Sequence, residues 1–561
     1  MPVVHYKDYD SIEDADDKSI KHALSSSGEA TPLLDGLKAD TFESALEAVG
    51  TLGRWQALVA LQAALVTAAV AAVTSSSRYY QVTPPYHCRV PGGFPANWTI
   101  GQRVEISSPR SIPCEYYPLN YTELPKNFGE AKAIRDRLRN ESALHELQCT
   151  DWEFDTSPSG IGPTSVSQFK LVCGSRLGFE LSQTLHFVGV VLGNVIGGPM
   201  ADRYGRRPVI LGMLMLALAS ALPLPFMPNY WLFALLRTVS SFSFVAMMLI
   251  YSFAMEWVSA KHRAAAAGLL WTPHALGSVA MSAVAYLTRD WRYMHTVVAL
   301  PLLLTVFYWC LLAESPRWLL AKGRVDEARQ VLERAASWNG RRLPANFDLR
   351  KLVSEKRADV KHNETFLRVF EFNRARPRYP SFFVWALVLF LITILVNLVY
   401  FGFLFNISNY SGNLYLNNAL GDLSEVVAYL VVPLMLALGR KVTIIANFCA
   451  AASALVLIPW IPREGVMVWA STACIVAGKL CVTCAFVAIA AVTTEIYPTA
   501  IRSSGYAVTT AEPSWRWATE TTFAGASLLA ASSVALLPET KNAELPDSLE
   551  DAERRFVKEF R

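Results

Sequence analysis

Two ionisable side chains stand where ionisable side chains are expensive. Glu425 lies about ten residues into an apolar run at 415–438, and Lys479 about thirteen residues into another at 466–494. Both fall near the middle of a stretch long enough to cross a bilayer, where a charge costs several kcal/mol and persists for a functional reason. A carboxylate at that depth attracts organic cations by direct pairing. A lysine at the same depth either pairs with it, leaving a nearly neutral site, or draws anions itself. Arg237 is about six residues from the outer end of its run, 231–257, and serves either as part of a gate or as an anchor snorkelling to the interface. Cys481 and Cys484 have CxxC spacing but no further ligands around them, and read as small packing residues. No metal site, nucleophile–base set or GxxxxGK[ST] phosphate loop is read, so neither enzyme chemistry nor a cofactor is expected.

Helices in lipid must position these groups. Apolar residues make up 52% of the chain and charged ones 17%, and the apolar ones gather in about eleven blocks of the roughly 20 residues a span requires. The blocks fall at about 55–74, 181–200, 209–227, 231–257, 264–287, 293–312, 382–405, 415–438, 442–460, 466–494 and 518–537. Gly189, Gly193 and Gly197 recur at four-residue intervals in the second block, the small-xxx-small spacing of close helix contact. The expected class is an all-α polytopic membrane protein. A net charge of +4 gives no reason to expect a nucleic-acid partner, and no cleavable signal peptide is read at 1–50.

Sidedness comes from two independent signals. Between the second and third blocks stands GGPMADRYGRRP, Gly197 to Pro208, whose arginines Arg203, Arg206 and Arg207 mark a cytoplasmic turn. Asp202 is expected to bond exposed amides at the neighbouring helix start, and Gly205 to allow close approach. The polar stretch 79–179 carries Cys88, Cys114, Cys149 and Cys173, with three disulfide pairings open, and glycosylation sequons at Asn97, Asn120 and Asn140. Sequons and disulfides place that stretch outside.

The organisation follows: a disordered cytoplasmic tail at 1–53, a six-helix bundle at 54–312, a cytoplasmic linker at 313–380 with an amphipathic helix near 324–336, a second bundle at 381–537 and a cytoplasmic tail at 538–561. EATPLL, with Glu29, Leu33 and Leu34, matches the acidic-dileucine pattern that vesicle-coat adaptors read. After Arg502 the chain must go out and return within 503–537, too few residues for two full spans. The eleventh span is therefore read as shortened, by a splice form or a gene-model error.

The hinge, the large outer loop, EWVSAKHR (Glu256 to Arg263), ESPRWL (Glu314 to Leu319), GNLYL (Gly412 to Leu416), EIYPTAIR (Glu495 to Arg502) and LPETK (Leu537 to Lys541) together resemble the solute carrier 22 branch of the major facilitator superfamily. The resemblance implies two six-helix bundles around one central site that opens alternately to each side, moving small organic ions across the plasma membrane. It implies a gating role for Asp202, Arg203, Gly205, Arg206, Arg207, Glu256, Arg263, Glu314, Arg317, Glu495 and Arg502. It also implies that Glu425, Lys479 and Tyr400 line the site. Asn397, a turn earlier, shares Tyr400's face, and His274, after Pro273, stands where relatives place a site aromatic; a histidine bonding a neighbouring helix is its alternative. The leading expectation is a cation-leaning carrier. The alternatives are a carnitine-like or organic-anion carrier, and a transporter-like protein that does not transport because its eleventh span is incomplete.

Overall fold

The computed structural model describes residues 42–90, 93–94, 97–108, 114–140, 145–155, 162–343, 349, 372–373, 376–377, 380–406, 413–461, 467–496, 520–534 and 537. The apolar runs are helical because a chain in lipid satisfies its N–H and C=O groups only on itself. Among the described residues nine helices are long and apolar enough to cross a membrane: Arg54–Tyr80, Cys173–Tyr204, Arg206–Phe226, Tyr230–Glu256, Trp291–Leu311, Phe383–Leu404, Leu414–Leu438, Arg440–Trp460 and Met467–Thr493. They occupy the places of the first four, the sixth, and the seventh to tenth expected spans.

The fifth span comes in two pieces, Arg263–Leu269 and Thr272–Thr288. Pro273 stands in the first turn of the second piece, where its missing N–H breaks no bond but a continuous helix could not pass. Glu520–Val534 takes the place of the last span. The shortened eleventh span, the acidic-dileucine segment and the C-terminal tail lie outside the described residues.

The first span continues to Tyr80 through a four-residue helix, Ser77–Tyr80, rather than stopping near residue 74. That extra turn carries Arg78 into the protein. Within the first half, Cβ atoms at Gly189 and Gly193 would strike the backbone carbonyls of Thr238 and Phe242, so the small-residue spacing does let the second span lie against the fourth. The halves meet where Thr272–Thr288 packs along Leu414–Leu438.

The tail differs from expectation over its last stretch. Phe42–Val49 is helix, with Ala45, Leu46 and Val49 buried. Asn339 fastens it: its amide donates to the Val49 carbonyl at 2.9 Å, and its side-chain oxygen accepts from Trp55 N–H at 2.9 Å. Phe42, Ala45, Leu46 and Val49 do fall at helical spacing, but over only eight residues, and the groups that hold the helix lie 220 to 290 residues away. The linker helix spans Val325–Trp338 and buries Ala328, Leu332, Ala335 and Ala336, the face its periodicity indicates.

The large loop is tied by Cys88–Cys149 and Cys114–Cys173. Short antiparallel pairs, Tyr86–Cys88 with Trp152–Phe154 and Glu115–Tyr116 with Leu147–Gln148, run beside these links. Unreduced peptide mapping of the purified protein should therefore recover 88–149 and 114–173 linkages. Recovery of 88–173 instead would refute this pairing.

Candidate functional site

The eighth span, Leu414–Leu438, is built inside out. Asn417, Asn418, Gly421, Asp422, Ser424, Glu425, Ala428 and Tyr429 are buried, while Leu416, Leu423, Val427, Leu430 and Leu434 are exposed. Lipid solvates the leucines and the protein interior receives the polar stripe. At 1.5 Å per residue, Asp422 and Glu425 lie about 12 and 16 Å from the helix start, close to the centre of a bilayer core.

Four charged side chains converge there. Asp422 Oδ1 accepts from Arg78 Nη1 at 2.8 Å and from Lys479 Nζ at 3.0 Å. Lys479 Nζ also lies 2.9 Å from Glu425 Oε1, which accepts the Tyr400 hydroxyl at 2.7 Å. Asp422 and Glu425 are 1% exposed and Lys479 is 0% exposed. Arg78 comes from the first half and the other three from the second, so the cluster bridges the halves. Two carboxylates and two cations balance, which is what a low-dielectric site demands.

One oxygen of each carboxylate is left over. Asp422 Oδ2, Glu425 Oε2 and His274 Nδ1 are buried without a hydrogen-bond partner among the described residues. His274 Nδ1 stands 3.9 Å from Glu425 Oε2, facing it across a gap too wide for a hydrogen bond. Beside this gap is an aromatic wall drawn from both halves. Phe486 stacks on Tyr400 with ring centroids 5.8 Å apart, and Trp271 meets Phe486 at 5.9 Å and His274 at 5.6 Å.

Glu425, Lys479, Tyr400 and His274 are thus brought together. Asn397 donates to the Thr393 carbonyl of its own helix at 2.8 Å. Arg237 is neither at this cluster nor snorkelling: it is buried, donates to Ser182 Oγ at 2.6 Å and Gln183 Oε1 at 3.0 Å, and lies over the Tyr80 ring. Its bonds tie the fourth span to the second. Sequence reasoning missed Asp422 and Arg78. Asp422 is one turn before Glu425 and so on the same face, a spacing that could have found it. Arg78 follows three serines that look like the end of a span.

A second network lies at the opposite end of the first half. Arg206 Nη1 donates to Asp202 Oδ1 at 2.7 Å and to the Ala201 carbonyl at 2.9 Å, and its Nη2 reaches Glu256 Oε1 at 3.3 Å. Glu256 also accepts the Ser315 hydroxyl. A carboxylate at the amides that open the third span is Glu314: its Oε1 accepts from Arg206 N at 2.8 Å, Ser315 N at 2.9 Å and Arg207 N at 3.3 Å. Burial pushes the Glu314 carboxyl above the ordinary carboxylate range, against the pull of these amides. Gly205 needs its φ of +113°, and a Cβ there would collide with the Glu314 carboxylate. Arg207 donates to the Trp309 carbonyl at 2.8 Å, while exposed Arg203 lies over the Tyr204 ring. Arg263 and Arg317 converge on Glu43 of the tail helix, at 2.5 and 2.6 Å, a partner no motif announced. Glu495 stands in the helix Met467–Ile496; its side chain and Arg502 lie outside the described residues.

In the large loop, Asn97 and Asn120 are exposed, and Asn120 Oδ1 accepts the Thr122 hydroxyl of its own sequon at 2.7 Å. Asn140 ends the helix Phe128–Asn140, and its side chain lies outside the described residues.

The Major Facilitator Superfamily model matches residues 160–511. The chain is 28% identical over 542 residues to solute carrier family 22 member 1 of Bos taurus, covering 91% of this chain and 93% of that protein. It is 26% identical over 499 residues to a Drosophila melanogaster organic cation transporter protein, covering 84% and 87%. The solved structure of the proton:xylose symporter XylE with 6-bromo-6-deoxy-D-glucose superposes with a TM-score of 0.54 at 14% identity, covering 88% of this chain and 98% of that one. At that identity it speaks for the fold.

Replacing Glu314 by Ala removes an acceptor from three backbone amides and should cost about 1–3 kcal/mol. The check is the melting temperature of the detergent-solubilised protein, which falls if Glu314 organises this turn. An unchanged value would remove that role.

Proposed function

The chain belongs to the major facilitator superfamily, and from that premise we propose that it carries small organic ions, cations foremost, across the membrane by alternating access. The observation that carries this reading is the pair of buried carboxylates, Asp422 and Glu425, whose Oδ2 and Oε2 have no hydrogen-bond partner among the described residues, beside the aromatic wall of Tyr400, Phe486 and Trp271. An organic ammonium placed there receives charge from the carboxylates and π-face attraction from the rings. Its neighbours in the cluster belong to different halves, so loading the site and rearranging the halves act on the same contacts. The Drosophila relative's name supports an organic cation as the cargo.

The neutral balance of the cluster favours one alternative, a zwitterion or organic anion received by Arg78 and Lys479. On this reading the plasma membrane is the site of action, and both termini are cytoplasmic. The exposed sequon asparagines Asn97 and Asn120 and the two disulfides support an outward loop bearing glycans. The acidic-dileucine segment at Glu29, Leu33 and Leu34 is then placed where a coat adaptor could read it.

Uptake of tetraethylammonium, carnitine and benzoate by expressing cells tests this reading. Glu425→Gln should lower tetraethylammonium uptake about tenfold or more, the value of a charge-assisted contact of about 1.5–3 kcal/mol, and leave benzoate uptake within about twofold. Equal loss for both probes sinks the cation reading.

A further inference from the structure

The charge balance has an asymmetry in who supplies it. Lys479 is held by both carboxylates and comes from the tenth span, in the same half as the eighth. Arg78 is bonded to Asp422 Oδ1 at 2.8 Å and to Ser75 Oγ at 2.8 Å, and comes from the first span, in the other half. Ser75 in turn shares a hydrogen bond of 2.9 Å with Ser278 of the fifth span, and the Tyr79 hydroxyl one of 2.7 Å with Ser282. Arg78 is therefore anchored to the first half by neutral hydroxyls and to the second by an ion pair. Next to it the Tyr79 ring stacks on Tyr415 with centroids 5.8 Å apart and planes 6° apart, so the contact between halves continues around the pair.

Adding a monocation to this cluster as it stands makes two carboxylates face three positive charges in a buried site. That arrangement is costly. One resident cation must yield, and Arg78 is the one with a single carboxylate and an attachment across the interface. We infer that Arg78 is a tethered competitor for the cation site: its guanidinium occupies Asp422 when no cargo is bound, and an organic cation binds by displacing it. Asp422 then belongs to the cargo site together with Glu425, and Arg78 sets the apparent affinity. A site that is free of its own plug only part of the time binds more weakly by that fraction. When the first span moves away from the eighth, Arg78 leaves with it, and the remaining three charges sum to −1. The site thus gains its attraction for a cation as the halves part beside Arg78, and regains neutrality either with Arg78 or with cargo.

This inference rests on the cation reading above. Its test is the concentration dependence of tetraethylammonium uptake by the full chain in cells, normalised to surface protein, with Arg78→Gln, Arg78→Lys and Asp422→Asn. Arg78→Gln should lower the half-saturating concentration about tenfold by removing the competitor, Arg78→Lys should stay within about twofold of wild type by restoring a tethered charge, and Asp422→Asn should raise it about tenfold by removing a carboxylate. Adding Arg78→Gln to Asp422→Asn should leave it raised, whereas a purely structural ion pair predicts recovery in the double variant. Where a variant fails to reach the surface, tetraethylammonium binding to the detergent-purified full chain gives the same comparison. Wild-type uptake with an unchanged half-saturation in Arg78→Gln overturns the inference alone. No wild-type uptake or binding of tetraethylammonium, with benzoate transported, overturns the cation reading and the inference with it.

Discussion

Charge neutrality in a low-dielectric interior is the constraint the centre of this molecule obeys. Asp422 and Glu425 are 1% exposed, and removing one partner from such a buried pair typically costs about 3–5 kcal/mol. The eighth span cannot carry its two carboxylates inward without Lys479 and Arg78, and these arrive on different helices from different halves. The arrangement of the first, fifth, eighth and tenth spans is thereby coupled to one electrostatic balance. The same balance ties the two halves together, because Asp422 is shared between Arg78 of one and Lys479 of the other.

The hinge network works by another route, hydrogen bonding at helix ends. Gly205 has φ +113° and Gly439 has φ +144°, each ending one span and starting the next. After each comes an arginine that folds back to the preceding helix: Arg206 Nη1 to the Ala201 carbonyl at 2.9 Å, Arg440 Nη1 to the Leu436 carbonyl at 3.1 Å. A cation there adds a charged donor to the last carbonyls of the helix, the Ala201 carbonyl already accepting the Gly205 N–H at 3.2 Å, and meets the negative end of the helix dipole. The repetition in corresponding places of the two halves is what an internal repeat produces. Only the first copy has an acid at the Asp202 position; in the second, Leu436 stands there and Ala437 stands at the Arg203 position. The tail helix adds a brace to the first copy's side, with Glu43 held between Arg263 and Arg317.

Much of this was legible in the residues. Block length and spacing placed most of the described spans to within a turn, because the bilayer imposes a fixed apolar length that sequence must meet, while the first ran on to Tyr80 and the second began at Cys173, beyond the apolar blocks. Glu425 and Lys479 were found by depth alone, since an ionisable group in the middle of an apolar run has no bland reason to be there. Depth did not find Asp422, which belongs to a polar stripe that starts at Asn417 and hides it. Nor did it find Arg78, whose helix ends in serines and tyrosines that no hydropathy average counts as membrane.

An all-α membrane protein, its order of spans, the arginine-rich hinge and the loop that would hold disulfides can all be read from the residues in order. Each of these follows from local composition and from distances along the chain. Folding in three dimensions was needed to show which cysteines pair, that Arg237 binds within its own bundle, that Glu314 serves the hinge amides, and that Arg78 closes the charge balance of the eighth span. Those outcomes depend on which helix faces meet, and neutralising a buried charge requires a partner within a few ångströms wherever in the chain it comes from.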